Sequence, residues 1–202
     1  MIGSVRRVGC LGLSANPPHF GHLAAALAVL KSGIVDEVWL VPVFAHAFDK
    51  PEFAPWHHRL AMTKMLQEPG ISVCDIEGEF ARTSFTIDTV KALIKRYPNN
   101  EFFWIIGSDI ICNQDYLRWH EWDELRHIIK FAVVDRPGYS LDIHDIPESF
   151  LHVSDNERPE SSTEVRELVH EGASIERFVG DQISKYISDN GLYKAAKEAR
   201  NG

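Results

Sequence analysis

Nothing in these 202 residues approaches the uninterrupted apolar stretch, roughly 18–20 residues, that a membrane-spanning helix requires. Cysteine is scarce as well. Cys10, Cys74 and Cys112 are far apart, odd in number and without a Cys-x-x-Cys pair. That argues against a disulfide framework and a zinc ribbon, and suits a reducing compartment. A surplus of positive charge is also missing. With 21 Lys and Arg against 29 Asp and Glu, the formal net charge is −8, which disfavours non-specific attachment to nucleic acid, where affinity comes from neutralised phosphates. It does not disfavour a small phosphorylated ligand, which needs only a local group of donors and cations. Internal repeats and low-complexity linkers are absent. The apolar run from Val8 to Leu13 is short and leads into Pro17-Pro18-His19 rather than a small-residue cleavage site, so it reads as a buried strand and not a signal peptide. A cytoplasmic enzyme is the expectation these absences leave.

What is present is the composition of an ordinary globular protein, 45% hydrophobic and 25% charged. The length suits one domain over 1–202, with a C-terminal helical portion from about 160 to 202. Strand and helix patterns alternate. Strands are expected at 5–13, 37–43, 71–74, 101–106, 128–134 and near 150–153. Helices are expected at 21–32, 55–67, 85–96, around 119–127, at 162–171 and at 174–190, with a turn at Gly107-Ser108-Asp109. Residues 136–149 read as a surface loop. Alternation of this kind predicts an α/β fold, a Rossmann-like, doubly wound parallel sheet with helices on both faces. Ligands in such folds bind beyond the carboxyl ends of the strands, so chemistry is sought in the turns that follow them.

The first of these turns, GLSANPPHFGH at 12–22, is the most informative. His19 and His22 lie three apart at the entry to a helix, on one face, where both imidazoles can address one anion. The N–H groups and dipole of the helix terminus already favour phosphate there. Gly21 is expected to allow close backbone approach, and Pro17-Pro18 to stiffen the lead-in. The plain alternative is a capping turn with two surface histidines. A zinc site from His19, His22, His46, His57 and His58 is a weaker idea, since no cysteine or carboxylate spacing supports it.

This turn resembles the HxGH nucleotidylyltransferase superfamily, and within it the chain is similar to the nicotinate (nicotinamide) mononucleotide adenylyltransferase family over nearly its whole length. ESSTEVREL (160–168) is similar to the superfamily's SSTxxR element, VVDRPGY (133–139) to a strand exit carrying an arginine, and VPVFAHAFDKP (41–51) to a strand exit ending in a lysine. DIEGEFARTSFTIDTV (75–90) and WIIGSDIICNQDYLRWHEW (104–122) resemble the segments that hold the mononucleotide. The pattern is not followed everywhere. Leu13, Ala15 and Asn16 stand where a glycine, an aromatic and an aspartate are usual, no glycine precedes Ser84, and Trp119 lies ten residues past Asp109, about two more than the family spacing.

The resemblance implies catalysis by His19, His22, Lys50 and Arg166. It implies ATP binding by Ser14, His19, His22, Arg136, Ser161, Ser162, Thr163 and Arg166. For the mononucleotide it implies Ser84, Thr86 and Asp109, with Trp119 stacked on the pyridine ring; Trp122 reads as core packing, although it is the alternative stacker. Arg59 reads as structural, and Asp88 and Thr89 as local capping or packing residues. The implied reaction joins the AMP moiety of ATP to nicotinate or nicotinamide mononucleotide and releases pyrophosphate. Mg²⁺ is expected to arrive on ATP, with no dedicated metal cage in the protein. The implied partners are therefore small molecules, with neither nucleic acid nor membrane expected and a homo-oligomer compatible with the sequence. Two alternatives stay open: a sister enzyme acting on phosphopantetheine or using CTP, and a catalytically silent nucleotide-binding protein.

Overall fold

The computed structural model describes residues 5–45, 53–142, 144, 146–154 and 160–194. Six strands, β1 (Arg6–Leu13), β2 (Glu37–Pro42), β3 (Ile71–Val73), β4 (Asn100–Gly107), β5 (Lys130–Val134) and β6 (Phe150–Val153), form one sheet in the order β3-β2-β1-β4-β5-β6. Every pairing is parallel. The chain works outward from β1 through β2 to β3, then returns to β4 on the other side of β1. The carboxyl ends of β1 and β4 therefore flank the point where strand order reverses, the crevice in which doubly wound sheets bind ligands.

The central strands owe their position to side chains that are apolar on both faces. Along β4, Phe102, Trp104 and Ile106 enter one core with Ile87, Val90 and Leu93 of α4 (Thr86–Arg96) and Leu125 of α6 (Trp122–Ile128). The alternate residues Phe103 and Ile105 enter the opposite core. There they join Ala26 and Val29 of α1 (Phe20–Lys31), Met62 of α2 (Trp56–Lys64), Val165 of α7 (Ser162–Glu171) and Phe178, Ile183 and Ile187 of α8 (Glu176–Asp189). A period of two along the strand thus distributes the helices between the two faces.

Several boundaries differ from the sequence expectation. The turn expected at Gly107-Ser108-Asp109 is the start of a short helix, α5 (Ser108–Cys112), because Gly107 is extended and Ser108 already turns into the helix. The helix expected around 119–127 begins only at Trp122, preceded by a 3₁₀ turn at Asp115–Arg118, and β5 correspondingly begins at Lys130 rather than 128. A five-residue helix, α3 (Ile76–Phe80), precedes α4 where none is expected; it is too short to show an apolar period. Among the described residues no helix is long and apolar enough to cross a membrane.

Candidate active site

His19 is the extended residue from which α1 departs, and the two histidines lock the turn reciprocally. The His19 N–H donates to His22 Nδ1 at 3.2 Å, while the His22 N–H donates to the His19 carbonyl at 3.0 Å. Their rings lie 3.8 Å apart between centroids, tilted by 38°. Because His22 Nδ1 accepts a hydrogen bond, its neutral form carries the proton on Nε2, which leaves the ring a single donor. Burial pushes the His19 imidazole from its ordinary 6.5 down to about 4, and the Arg136 charge adds to the shift. Burial also pushes His22 well down, helped by His19 and Arg136. Two imidazoles in contact beside an arginine resist charging, so both are neutral before an anion arrives.

The glycine between them allows a close approach, by a neighbouring ring and by backbone from the segment before α7. A β-carbon on Gly21 would lie 2.9 Å from His19 Nδ1 and 3.4 Å from the Glu160 carbonyl. The glycine leaves room for the His19 ring and for the segment leading to α7, and any side chain there would displace one of them.

That segment is fastened to the first turn from a great distance along the chain. Ser162 Oγ donates to the Pro17 carbonyl at 2.8 Å, and Arg166 Nη1 donates to the Asn16 carbonyl at 2.8 Å. Arg166 Nη2 reaches Thr163 Oγ1 at 3.3 Å. Ser161 is an ordinary N-cap, its hydroxyl accepting from the Glu164 N–H at 3.1 Å. The serines and threonine thus shape the helix terminus with their side chains, and what α7 offers an anion is its first-turn N–H groups and dipole.

Arg136 enters from the exit of β5. Its N–H donates to Ser108 Oγ at 2.9 Å, Ser108 Oγ donates in turn to the Tyr139 carbonyl at 2.8 Å, and the guanidinium lies 3.4 Å from Asp109 Oδ1. Ser14, His19, His22, Arg136, Ser161, Ser162, Thr163 and Arg166 line one cleft of about 490 Å³ between the exits of β1, β4 and β5 and the start of α7. Two guanidiniums, two imidazoles and two helix N-termini make a receptor for a polyanion. Lys50 lies outside the described residues.

Ser84, Thr86, Asp109 and Trp119 do not line that cleft. Asp109 borders it through Arg136. Ser84 and Thr86 stand at the start of α4, whose Phe85 N–H is capped by Asp88 Oδ2 at 3.0 Å. Trp119 is half-buried beyond the 3₁₀ turn, its ring centroid 6.3 Å from that of Trp122 and 6.2 Å from Phe131. Trp122 is also half-buried, with Tyr116, Phe131 and Phe150 around it. Phe85, 44% exposed, rests on His120 at 4.5 Å between centroids.

Beneath the cleft, Arg59 holds the turns in place, as the sequence suggested. It is 1% exposed and donates to the carbonyls of Ser14, Val43, Phe44 and Ala54 at 2.5–2.9 Å. Burial lowers its pKa to about 10, which leaves it cationic at neutral pH. Asn16, Ser108 and Tyr193 were not found from the sequence. The Asn16 amide oxygen accepts from the Ala54 N–H and the Tyr193 hydroxyl, each at 2.9 Å. An asparagine after an αL alanine (Ala15, φ 53°) was visible as a departure from the family turn, but its partners lie 38 and 177 residues away.

Comparison with known proteins agrees with this geometry. Residues 12–168 match the cytidylyltransferase-like family. The nicotinate-nucleotide adenylyltransferase of Bacillus subtilis (strain 168) is 34% identical over 196 residues, covering 95% of this chain and all of that protein. The fold is shared with the nicotinic acid mononucleotide adenylyltransferase of Plasmodium falciparum. Its complex with NaAD superposes with a TM-score of 0.80 and its complex with APC with 0.77. In both cases identity is 20%, and 93% of this chain and 97% of the other are covered. The chain belongs to the nicotinate-nucleotide adenylyltransferase family of cytidylyltransferase-like proteins.

Proposed function

We propose that this protein transfers the AMP moiety of ATP to nicotinate mononucleotide, releasing pyrophosphate and forming the dinucleotide precursor of NAD. The observation that carries the reading is the convergence of the His19–His22 turn, Arg136, Arg166 and the α7 terminus on one cleft at the strand-order reversal. The 34%-identical relative from Bacillus subtilis, a nicotinate-nucleotide adenylyltransferase, favours nicotinate as the pyridine.

The nucleophile, a 5′-phosphate, is already an anion, so the reaction needs no general base and no covalent enzyme intermediate. It needs two polyanions held in line and stabilisation of charge on the α-phosphate and the departing pyrophosphate. His22 supplies Nε2–H as a donor to the transferring phosphate. His19, held against it, becomes a cation most readily once the triphosphate neutralises the local field. Arg136, Arg166 and the N-termini of α1 and α7 take the remaining phosphates, and Ser14 lies at the β1 exit beside them. Lys50 is assigned to phosphate in the same reading.

A divalent cation, Mg²⁺, belongs to the reading as a companion of ATP. Among the described residues no group of three or more His, Cys, Asp and Glu could hold a metal, and the cleft's donors are of the kind that bind anions. In this reading the ion rides on the nucleotide's own phosphates, where it would supply charge neutralisation. The mononucleotide is assigned to Ser84, Thr86 and Asp109, with its ring against Trp119. Cytoplasmic action on freely diffusing reactants is part of the same proposal.

The test is direct. Purified protein with ATP, Mg²⁺ and nicotinate mononucleotide should yield dinucleotide and pyrophosphate in equal amounts. Turnover of phosphopantetheine, or a requirement for CTP, with no dinucleotide from either pyridine mononucleotide, would sink the reading.

A further inference from the structure

Among the described residues Glu77 is the only fully buried carboxylate, 4% exposed, and nothing in the phosphate cleft explains it. It sits on α3, and its two oxygens collect donors from two other parts of the chain. Oε2 accepts the Phe44 N–H at the exit of β2 and the Ser84 hydroxyl before α4, each at 3.0 Å. Oε1 accepts the Thr89 hydroxyl, inside the first turns of α4, at 2.8 Å. Burial pushes the carboxyl pKa up, while the Thr89, Phe44 and Ser84 hydrogen bonds and the Arg59 charge oppose the rise. A buried carboxylate is tolerated only when its lone pairs are filled in this way.

We propose that Glu77 is a positioning residue for the mononucleotide, clasping the start of α4 to the exit of β2 so that the Ser84–Thr86 segment keeps a fixed direction. The inference rests on the reading that Ser84 and Thr86 meet that substrate. The geometry also sets polarity. The Ser84 hydroxyl has one proton and gives it to Glu77, so Ser84 turns only lone pairs toward solvent. The donors available to an anionic group at this wall are then the first two N–H groups of α4, since that of Asp88 already bonds to the Phe85 carbonyl at 3.0 Å. A clasp that holds Ser84 as an acceptor thereby divides the wall into an accepting hydroxyl and donating amides.

The bonding pattern says which substitutions separate network from charge. In Glu77→Gln the amide oxygen can replace Oε2, accepting from Phe44 N–H and Ser84. The amide NH₂ can then donate to Thr89 Oγ1, whose own proton has the Phe85 carbonyl as an alternative acceptor 3.5 Å away. All partners stay satisfied without a charge. Glu77→Leu keeps the approximate volume and leaves the Phe44 N–H without an acceptor, since a backbone donor cannot rotate to another.

The experiment measures kcat, the two KM values and the thermal midpoint for wild type, Glu77→Gln, Glu77→Leu and Thr89→Val. Glu77→Leu should raise KM for nicotinate mononucleotide about tenfold or more while KM for ATP stays within about twofold. Glu77→Gln should remain within about threefold of wild type in both, as rescue by the isostere requires. Thr89→Val, which removes one tether from the clasp, keeps the test alive if Glu77→Leu does not fold, and should raise the mononucleotide KM several-fold alone. Equal increases in both KM values in parallel with a falling midpoint would make Glu77 a general stability residue and overturn the proposal. Glu77→Gln as damaged as Glu77→Leu would overturn it in favour of the charge. Those failures leave the functional reading intact, whereas a wild type that forms no dinucleotide removes both.

Discussion

The two sides of the proposed active site are built differently. On the phosphate side, four segments converge on a formed cleft, and its groups are charged or chargeable: His19, His22, Arg136 and Arg166. On the pyridine side, the candidates Ser84, Thr86 and Trp119 lie outside that cleft, and each also has a structural occupation. Ser84 is bound to Glu77, Thr86 opens a helix, and Trp119 packs on Trp122 and Phe131. The difference teaches how each substrate can be held. A polyanion is captured by field and by the donors fixed at helix termini. A flat heterocycle is captured by surface that also belongs to the core, so binding and stability are separable there only by measurement.

The largest expected contrast is in pH. His19 is held neutral, its pKa lowered from 6.5 to about 4. A depressed pKa contributes stability that is fully present above 6.5 and is lost as pH falls toward 4. A shift of that size corresponds to at most about 3 kcal/mol. Glu77 has the opposite sign: its raised pKa contributes stability that is present in acid and lost as pH rises. The advantage in unfolding free energy of His19→Asn over wild type should therefore grow as pH falls from 6.5 to 4. Parallel curves for the two proteins would mean that His19 is not buried neutral.

His22→Ala tests the phosphate side by rate. Loss of one pre-organised donor to the transferring phosphate should lower kcat by about 10²-fold, close to 2.7 kcal/mol, in a variant that still folds. Near-normal turnover in a folded variant would reduce the turn to a helix cap. The smallest effect is expected on the other side. Trp119→Ala should raise the mononucleotide KM by the several-fold that about 0.5–1.5 kcal/mol of stacking represents, leaving the ATP KM nearly unchanged. Equal damage to both constants, with lower stability, would assign Trp119 wholly to the core and blur the contrast between the sides.

Legibility from sequence followed the same division. The phosphate side was readable because its information is local: HxGH and SSTEVR each place their groups within about one helical turn, after a strand or before a helix. The central strands were readable because EFFWII alternates between two cores. What was not readable depends on long-range closure. Ser108 acts through a turn 28 residues away and Glu77 through Phe44 at a separation of 33, and neither has a spacing that points to its partner. The close approach that Gly21 allows was readable, but not its partner, since the Glu160 carbonyl comes from the other end of the domain. The helices α3 and α5 are each five residues long, shorter than the apolar period needs to declare itself.

The hydrogen bonds from Ser162 and Arg166 to the carbonyls of Pro17 and Asn16 join residues 145 and 150 positions apart. Their consequence concerns the order in which the protein comes into being. A ribosome releases the histidine turn early and the α7 segment late, so for most of synthesis the growing chain carries its signature residues without a nucleotide pocket. The α7 wall of the cleft is added only when the last fifth of the chain docks.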